Sequence, residues 1–278
     1  MKSDLAIYSL ETGQVTSVLQ SDRHIEAPNW FPNDRELLVN AEGQLYRVPL
    51  EQPELRPVDT GGMARLNNDH GICPGGDRFA FCDKTETEAA CIYLAAFEGG
   101  TPRRVTGNVP SWFHAFSPDG GRIAYVGARD RQMDIYTIST AGGTELRLTE
   151  GFETCDGPDY APTGAHIWFN GQKDGRMQLW RIPTTGGTPE QMTDDDRVNW
   201  FPHPSPDGRH VLYLSYPPGT TGHPGGVEVE LRLMPASGGE PETLLHLHGG
   251  QGTLNVPCWA PDSRRFAFVR YPRQDGSL

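Results

Sequence analysis

His70, His114 and His203 are the residues of this chain whose type and spacing come nearest to a reactive constellation. The first two stand four residues before a proline, Pro74 and Pro118, and the third stands three before Pro206. Asp69, Asp156, Glu26 and Gln251 occur in comparable settings. Imidazoles flanked by carboxylate or amide oxygens suit a divalent metal such as Mn, Zn or Ca, which would polarise a carboxylate or carbonyl while a histidine takes the proton. The competing reading is that each imidazole serves a backbone carbonyl or a neighbouring carboxylate where two sheets meet. The spacing reflects a repeat rather than a local metal motif such as H-E-x-x-H, so both readings stay open. His246 and His248 form a second pair whose alternation puts them on one side of a strand, where they could chelate, although an outer strand would expose them to solvent. The Gly249-Gly250-Gln251-Gly252 turn behind them lacks the Lys and helix of a phosphate loop.

A repeat positions these residues. Six times a proline sits between an apolar or aromatic stretch and a small turn that leads into β-branched or aromatic alternation: Phe31-Pro32-Asn33-Asp34, Cys73-Pro74-Gly75-Gly76, Ser117-Pro118-Asp119-Gly120, Ala161-Pro162-Thr163-Gly164, Ser205-Pro206-Asp207-Gly208 and Ala260-Pro261-Asp262-Ser263. Successive prolines are 42, 44, 44, 44 and 55 residues apart, the period of four-stranded propeller blades and well above that of ankyrin or leucine-rich repeats. The third copy shows the whole unit. Residues 111–116 are an aromatic-rich first strand, Pro118-Asp119-Gly120 reverse it, and 123–126 form an apolar second strand to be buried on both faces. Residues 134–138 alternate as a third strand, and Gly142-Gly143 lead into 145–149 as the outer strand. The tandem glycine recurs at Gly99-Gly100, Gly186-Gly187 and Gly238-Gly239, with Glu51-Gln52-Pro53-Glu54 in its place in blade one.

The two ends of the chain complete one another. Residues 5–10 and 14–19 read as a third and fourth strand with no first or second, while 256–259 and 266–269 read as a first and second with nothing after them. The sequence therefore predicts an all-β, six-bladed β-propeller in a single domain over 1–278, its ring closed by two N-terminal plus two C-terminal strands in the last blade. The blades fall at about 24–58, 66–106, 110–149, 154–193, 198–246, and 253–272 plus 4–19. Closure removes the exposed edges of an open array. No segment sustains a helical period, so almost no helix is expected, and 33 Gly with 24 Pro suit a chain that reverses direction repeatedly.

In a propeller the segments leading into the first strands converge at one mouth of the central channel. Here they bring Glu26; Asn68, Asp69 and His70; Trp112 and His114; Asp156; Asn199, Trp200 and His203; and Gln251 and Asn255. Tryptophan faces stack on sugar rings or other flat ligands, and carboxylates and amides bind hydroxyl groups, so these residues are the candidate ligand site. Blade five also carries an insertion, 217–226, between its second and third strands. It suits a binding loop or lid on the same rim, or equally a surface loop rich in Pro and Gly.

A formal net charge of −12 argues against a nucleic-acid partner and against an anionic membrane surface. The first residues show no secretory signal and no apolar run reaches bilayer length, which points to a cytoplasmic protein without membrane insertion. Five Cys without C-x-x-C spacing read as reduced, packed thiols. Cys82 and Cys91 end one strand and begin the next, which would set them opposite each other across a hairpin, where a disulfide is possible in an oxidising compartment.

The aromatic-Ser-Pro-Asp-Gly-Arg turns, the Ile135-Tyr136 third strand and the Gly142-Gly143…Leu148-Thr149 fourth strand resemble the TolB-type β-propeller repeat family over nearly the whole chain. That resemblance implies the fold and does not specify a function; with the polar channel mouth, the expected role is that of a binding or scaffold module which takes a protein segment or a small polar or sugar ligand. Related propellers of prolyl oligopeptidases carry catalysis in an attached hydrolase domain with a Gly-x-Ser-x-Gly elbow, a motif this sequence lacks. A fainter similarity to propeller oligogalacturonate lyases implies the alternative, a metal-dependent carbohydrate lyase or hydrolase on acidic or hydroxyl-rich sugars; the lyases' ligand set does not carry over residue by residue, and His70, His114 and His203 are the metal candidates that the repeat itself offers. No catalytic residue is assigned by either likeness.

Overall fold

The computed structural model describes residues 2–273, and its strands form six antiparallel sheets that make the blades of a closed propeller. Blade one contains Ile25–Trp30, Glu36–Ala41, Gln44–Pro49 and Arg56–Pro57; blade two Leu66–Ile72, Arg78–Asp83, Cys91–Ala96 and Arg103–Arg104. Blade three contains Ser111–Phe116, Arg122–Arg129, Gln132–Ser139 and Leu146–Arg147; blade four Thr154–Tyr160, His166–Lys173, Arg176–Pro183 and Glu190–Gln191. Blade five contains Val198–Pro204, His210–Tyr216, Gly225–Pro235 and Glu242–Gly250. In blade six Arg265–Arg270 pairs with Ser3–Ser9, which pairs with Val15–Ser21. There is no helix among the described residues.

Closure of the ring differs from expectation in one detail. The first strand expected over 256–259 contracts to a single bridge, Trp259 to Phe266, in a stretch where Pro257 has no N–H to give to a ladder. The N-terminal strand still zips along all of Arg265–Arg270, from Asp4 opposite Arg270 to Ser9 opposite Arg265. The fully buried Asp4 carboxylate locks the seam, accepting bonds from Arg270 at 2.8 and 2.9 Å and from Ser17 Oγ at 2.5 Å.

The six motif turns share one geometry. In each, the residue two after the proline donates its N–H to the carbonyl of the residue before it, from Asp34 to Phe31, Gly76 to Cys73, Gly120 to Ser117, Gly164 to Ala161, Gly208 to Ser205 and Ser263 to Ala260, at 2.7–3.1 Å. That donor residue has φ between 59° and 75° in all six. Proline presets the negative φ at the first corner, and the left-handed residue re-enters the strand, which is why glycine fills four of the six positions.

Apolar packing lies between the blades. Six separate buried clusters each straddle one junction, such as Phe113, Tyr125 and Ile123 of blade three against Ala80, Cys82 and Ile92 of blade two. Cys91 belongs to the cluster on the other face of blade two, because it pairs with Asp83 while Cys82 pairs with Ile92. The two thiols therefore point to opposite faces, and the expected Cys82–Cys91 juxtaposition does not form; all five cysteines are free and buried.

Three second-strand side chains reach across a junction to orient the next blade's first strand. Asn40 Nδ2 donates to the Asn67 carbonyl at 2.8 Å, Cys82 Sγ accepts from Phe113 N–H at 3.0 Å, and Asn170 Oδ1 accepts from Phe201 N–H at 3.0 Å. These bonds set the height at which each first strand, and hence its leading residue, faces the channel.

Candidate functional site

Counting back six residues from each motif proline gives Glu26, Asn68, Trp112, Asp156, Trp200 and Asn255, one per blade, and these start the ring at one channel mouth. A β-bulge follows in each of the first five blades, and the next residue is left-handed at Ala27, Gly157 and Phe201 (φ 54°, 58° and 53°). A bulge bends the strand and re-aims its side chains, so residues two apart do not simply share a face here.

The mouth holds a cavity of about 280 Å³ lined by Asn68, Asp69, Trp112, His114, Asp156, Gln251 and Asn255, all expected from sequence, and by Asn67, Val126, Met133, Phe201 and His223. Its polar groups are tied together. His114 Nε2 lies 3.1 Å from Asp156 Oδ1, and His223 Nε2 lies 3.7 Å from Asp156 Oδ2. His223 Nδ1 meets Gln251 Oε1 at 2.5 Å, and Asn255 Nδ2 donates to the same oxygen at 2.8 Å. Asn255 Oδ1 accepts the Gly252 N–H at 2.7 Å. Gly252, at φ 92°, must be glycine because Glu26 and Tyr271 occupy the space a Cβ would need.

The electrostatics of the two aspartates diverge. Burial pushes the Asp69 carboxyl up to about 6, with the Asp156 charge adding to the rise and His114, Asn67 and His223 opposing it. Burial is the largest single influence on the Asp156 carboxylate and opposes its charge, but the bond and charge of His114, the His223 charge and the Gly157 N–H together outweigh it and hold the group below the usual carboxylate range. His114 is the reciprocal case: burial disfavours its charged form, and Asp156 followed by Asp69 holds its pKa above the ordinary value. One carboxyl poised near neutrality beside a buried His–Asp ion pair is a site that can exchange a proton or receive a cation.

The remaining sequence candidates lie elsewhere. Glu26 sits just outside the cavity, accepting from Asn68 Nδ2 at 3.3 Å. Trp200 backs the site through His223, their rings edge-on with centroids 4.4 Å apart. Asn199 is buried within the blade, donating to Asp195, Gln178 and Thr193 and accepting from Ser215 Oγ, so it does not reach the channel.

The expected His70–His114–His203 metal set is not assembled. His70 is fully buried and turned to the Leu38 carbonyl at 3.3 Å, and burial holds its pKa down to about 4. His203 bridges Asp159 Oδ2 at 2.9 Å and the Leu254 carbonyl at 2.8 Å. These two imidazoles serve blade junctions, His203 through both ring nitrogens and His70 through Nε2, and neither lines the polar cavity that holds His114. Among the described residues no three His, Cys, Asp or Glu side chains group to hold a metal. The donor set therefore does not fit a histidine-held Mn, Zn or Ca, and the carbohydrate-lyase alternative loses the ligands on which it depended. His246 and His248 also part: His248 faces the Tyr271 carbonyl at 3.3 Å, and exposed His246 lies 3.6 Å from Glu230.

His223 is the site residue that reading the leading segments missed. Its only signal was the 217–226 insertion, whose rim placement brings an imidazole into the cavity between Trp200 and Asp156. Met133, which reaches the same cavity from a third strand, carried no signal at all.

Residues 70–221 match the family described as the TolB beta propeller domain. The chain is 46% identical over 272 residues to an uncharacterised protein of Agrobacterium fabrum, spanning 98% of this chain and 93% of that one. A solved structure from Agrobacterium tumefaciens, provisionally described as TolB, superposes with a TM-score of 0.96 at 46% identity over 98% of each chain. TolB from Acinetobacter baumannii gives 0.68 at 17% identity over 90% of this chain and 64% of that one. An oligogalacturonate lyase in complex with manganese gives 0.58 at 10% identity over 89% and 73%. At such low identity the last two likenesses are of fold alone.

Proposed function

This chain belongs to the TolB β-propeller family, and on that premise we propose that it is a binding module whose polar channel mouth takes a segment of a partner protein or a small polar ligand. The observation that carries this reading is the set of leading residues: every blade contributes one, they are Glu, Asn, Trp, Asp, Trp and Asn, and four of them, Asn68, Trp112, Asp156 and Asn255, line the cavity. A purely structural position in a repeat would favour one residue type, as the motif proline does. Burying unlike polar groups around a 280 Å³ cavity costs desolvation that packing alone does not recover. Convergent amides and carboxylates beside an aromatic face are the composition of a recognition site.

The test is photocrosslinking in cells of the native host with benzoylphenylalanine at position 112, at the polar mouth, and at position 118, at the opposite mouth. Adducts confined to position 112, and abolished when Asn68→Ala and Asp156→Ala are added to a folded protein, support the reading. Equal labelling at both positions, or none at 112 together with no thermal shift from any of a panel of small polar ligands, refutes it.

A further inference from the structure

Resting on the reading of the mouth as a binding site, we infer that the subsite filled by His223 is a receptor for a planar guanidinium, the head group of an arginine in a partner segment, with the insertion's own imidazole as its internal stand-in. His223 arrives on residues 217–226, the long connection between the second and third strands of blade five. Its ring lies edge-on to Trp200 and Phe201, with centroids 4.4 and 5.3 Å away, and its two nitrogens face acceptors on opposite sides. Gln251 Oε1 is held as an acceptor because Asn255 Nδ2 donates to it, and it meets Nδ1 at 2.5 Å. Asp156 Oδ2 stands back at 3.7 Å from Nε2, too far for a good hydrogen bond.

An imidazole has at most two N–H donors, on opposite edges, and both only when protonated; here its two nitrogens stand at 2.5 and 3.7 Å from the two acceptors. A guanidinium presents five N–H groups in a wider planar fork and stacks on aromatic faces, so it can satisfy Gln251 and Asp156 together. An ammonium is a point charge that lacks this reach. The cavity is lined by the carboxyls of Asp69 and Asp156 and by no Lys or Arg; His114 pairs with Asp156 Oδ1, which leaves Oδ2 facing the subsite.

The stand-in is built to leave. Before the third strand begins at Gly225, which pairs with Gly250, the insertion's backbone bonds to the rest of the fold run through Pro224, whose carbonyl accepts from Gln251 N–H at 3.2 Å and from Tyr216 Oη at 3.2 Å. The Thr220 N–H and hydroxyl bonds turn back on Pro217. Gly219 and Gly222 are left-handed, and open space surrounds both. An incoming arginine must displace His223, so the wild-type affinity is lowered by the fraction of time the subsite is closed.

The experiment is calorimetric titration of the full chain and of His223→Ala with N-acetyl-arginine amide, N-acetyl-lysine amide and N-acetyl-citrulline amide. His223→Ala is expected to bind the arginine probe about 10-fold more tightly than wild type, by removal of the closed fraction. It should prefer arginine by about 10-fold or more over lysine and over citrulline, which keeps the shape and loses the charge. Adding Asp156→Asn to His223→Ala should abolish arginine binding. Equal binding of the three probes, or no arginine binding by a His223→Ala protein with native circular dichroism, overturns the assignment. If His223→Ala does not fold, the wild-type imidazole resonances of His223 decide: they move on arginine titration and not on citrulline titration if the assignment holds, and their failure to move overturns it. Crosslinking at position 112 without arginine binding sinks the guanidinium assignment alone, whereas loss of both sinks the broader reading too.

Discussion

The two mouths of the channel are made by the same six first strands, yet they have opposite character. At one mouth the six motif prolines stand together around a cavity of about 400 Å³, with Trp30, Phe116, Tyr160 and Trp259 among its walls. At the other, unlike polar residues surround about 280 Å³. Blade three shows the division within three consecutive residues: Trp112 faces the polar mouth, Phe113 the proline mouth, and His114 touches both. Where the repeat is obeyed, side chains hold the ring together. Where it is broken, the blades present different chemistry to one point, which is where a ligand can be distinguished.

That contrast is open to attack by mutation, most severely in the apolar half. Phe113 is fully buried at the junction of blades two and three, its ring filling the space that Gly71 leaves by having no Cβ. Phe113→Ala should destabilise the protein by about 3–5 kcal/mol, read as a lower urea midpoint at unchanged slope. The neighbouring Trp112→Ala should lose less stability and more binding; a reversed order would erase the division between the mouths. Next comes the seam. Asp4→Ala strips Arg270 of its buried partner, but Arg270 is partly exposed and can turn to water, so the loss should be about 2–3 kcal/mol, just short of that for breaking a fully buried pair. A matching loss in Arg270→Ala, with no further loss in the double variant, would show that the pair acts as one latch.

The fold was legible because it depends on a local device used six times. Proline before a left-handed residue fixes a turn wherever it occurs, and the interval between copies then fixes the blade. The site was legible only in part, since sequence placed residues near the mouth without deciding where their side chains point. His70 and His114 share an offset from their prolines, but His70 turns to the Leu38 carbonyl and His114 to Asp156. The first strands of blades two, three and five are steered near their bulges by Asn40, Cys82 and Asn170 of the neighbouring blade, and such cross-junction bonds leave no mark on the strand they steer. His223 was invisible for another reason: it comes from outside the repeat.

Titration probes the polar mouth with a smaller effect. Asp69 has its pKa raised to about 6 from an ordinary value of 3.8, so the native state binds the proton more tightly than the unfolded chain does. The benefit is complete below about pH 3.8 and is lost as pH rises through 6. Asp69→Asn, a permanent stand-in for the protonated acid, should therefore stabilise the protein at pH 7.5 by on the order of 1–3 kcal/mol and change little at pH 4. Equal stabilisation at both pH values in chemical denaturation would show that the carboxyl is not strained by its setting.

The smallest effect falls on the two motif turns that dispense with glycine. Ser263 and Asp34 hold φ at 59°, which costs a non-glycine residue about 1–2 kcal/mol. Each recovers that cost at a junction: Ser263 Oγ accepts the Asp207 N–H of blade five at 2.9 Å, and Asp34 accepts two bonds from Arg265 of blade six at 2.7 and 2.9 Å. Ser263→Gly relieves the backbone and removes one neutral hydrogen bond worth about 1 kcal/mol, so stability should shift by less than about 0.5 kcal/mol. Asp34→Gly relieves the same strain but removes charged bonds worth about 1.5–3 kcal/mol when well shielded. Its partners are a third to nearly a half exposed, so screening should leave a net loss of about 1 kcal/mol. If both glycine variants were clearly stabilised, the side chains at these turns would be mere tolerated departures from the repeat. Opposite or cancelling signs would mean that even the regular rim departs from its pattern only where a neighbouring blade supplies a partner.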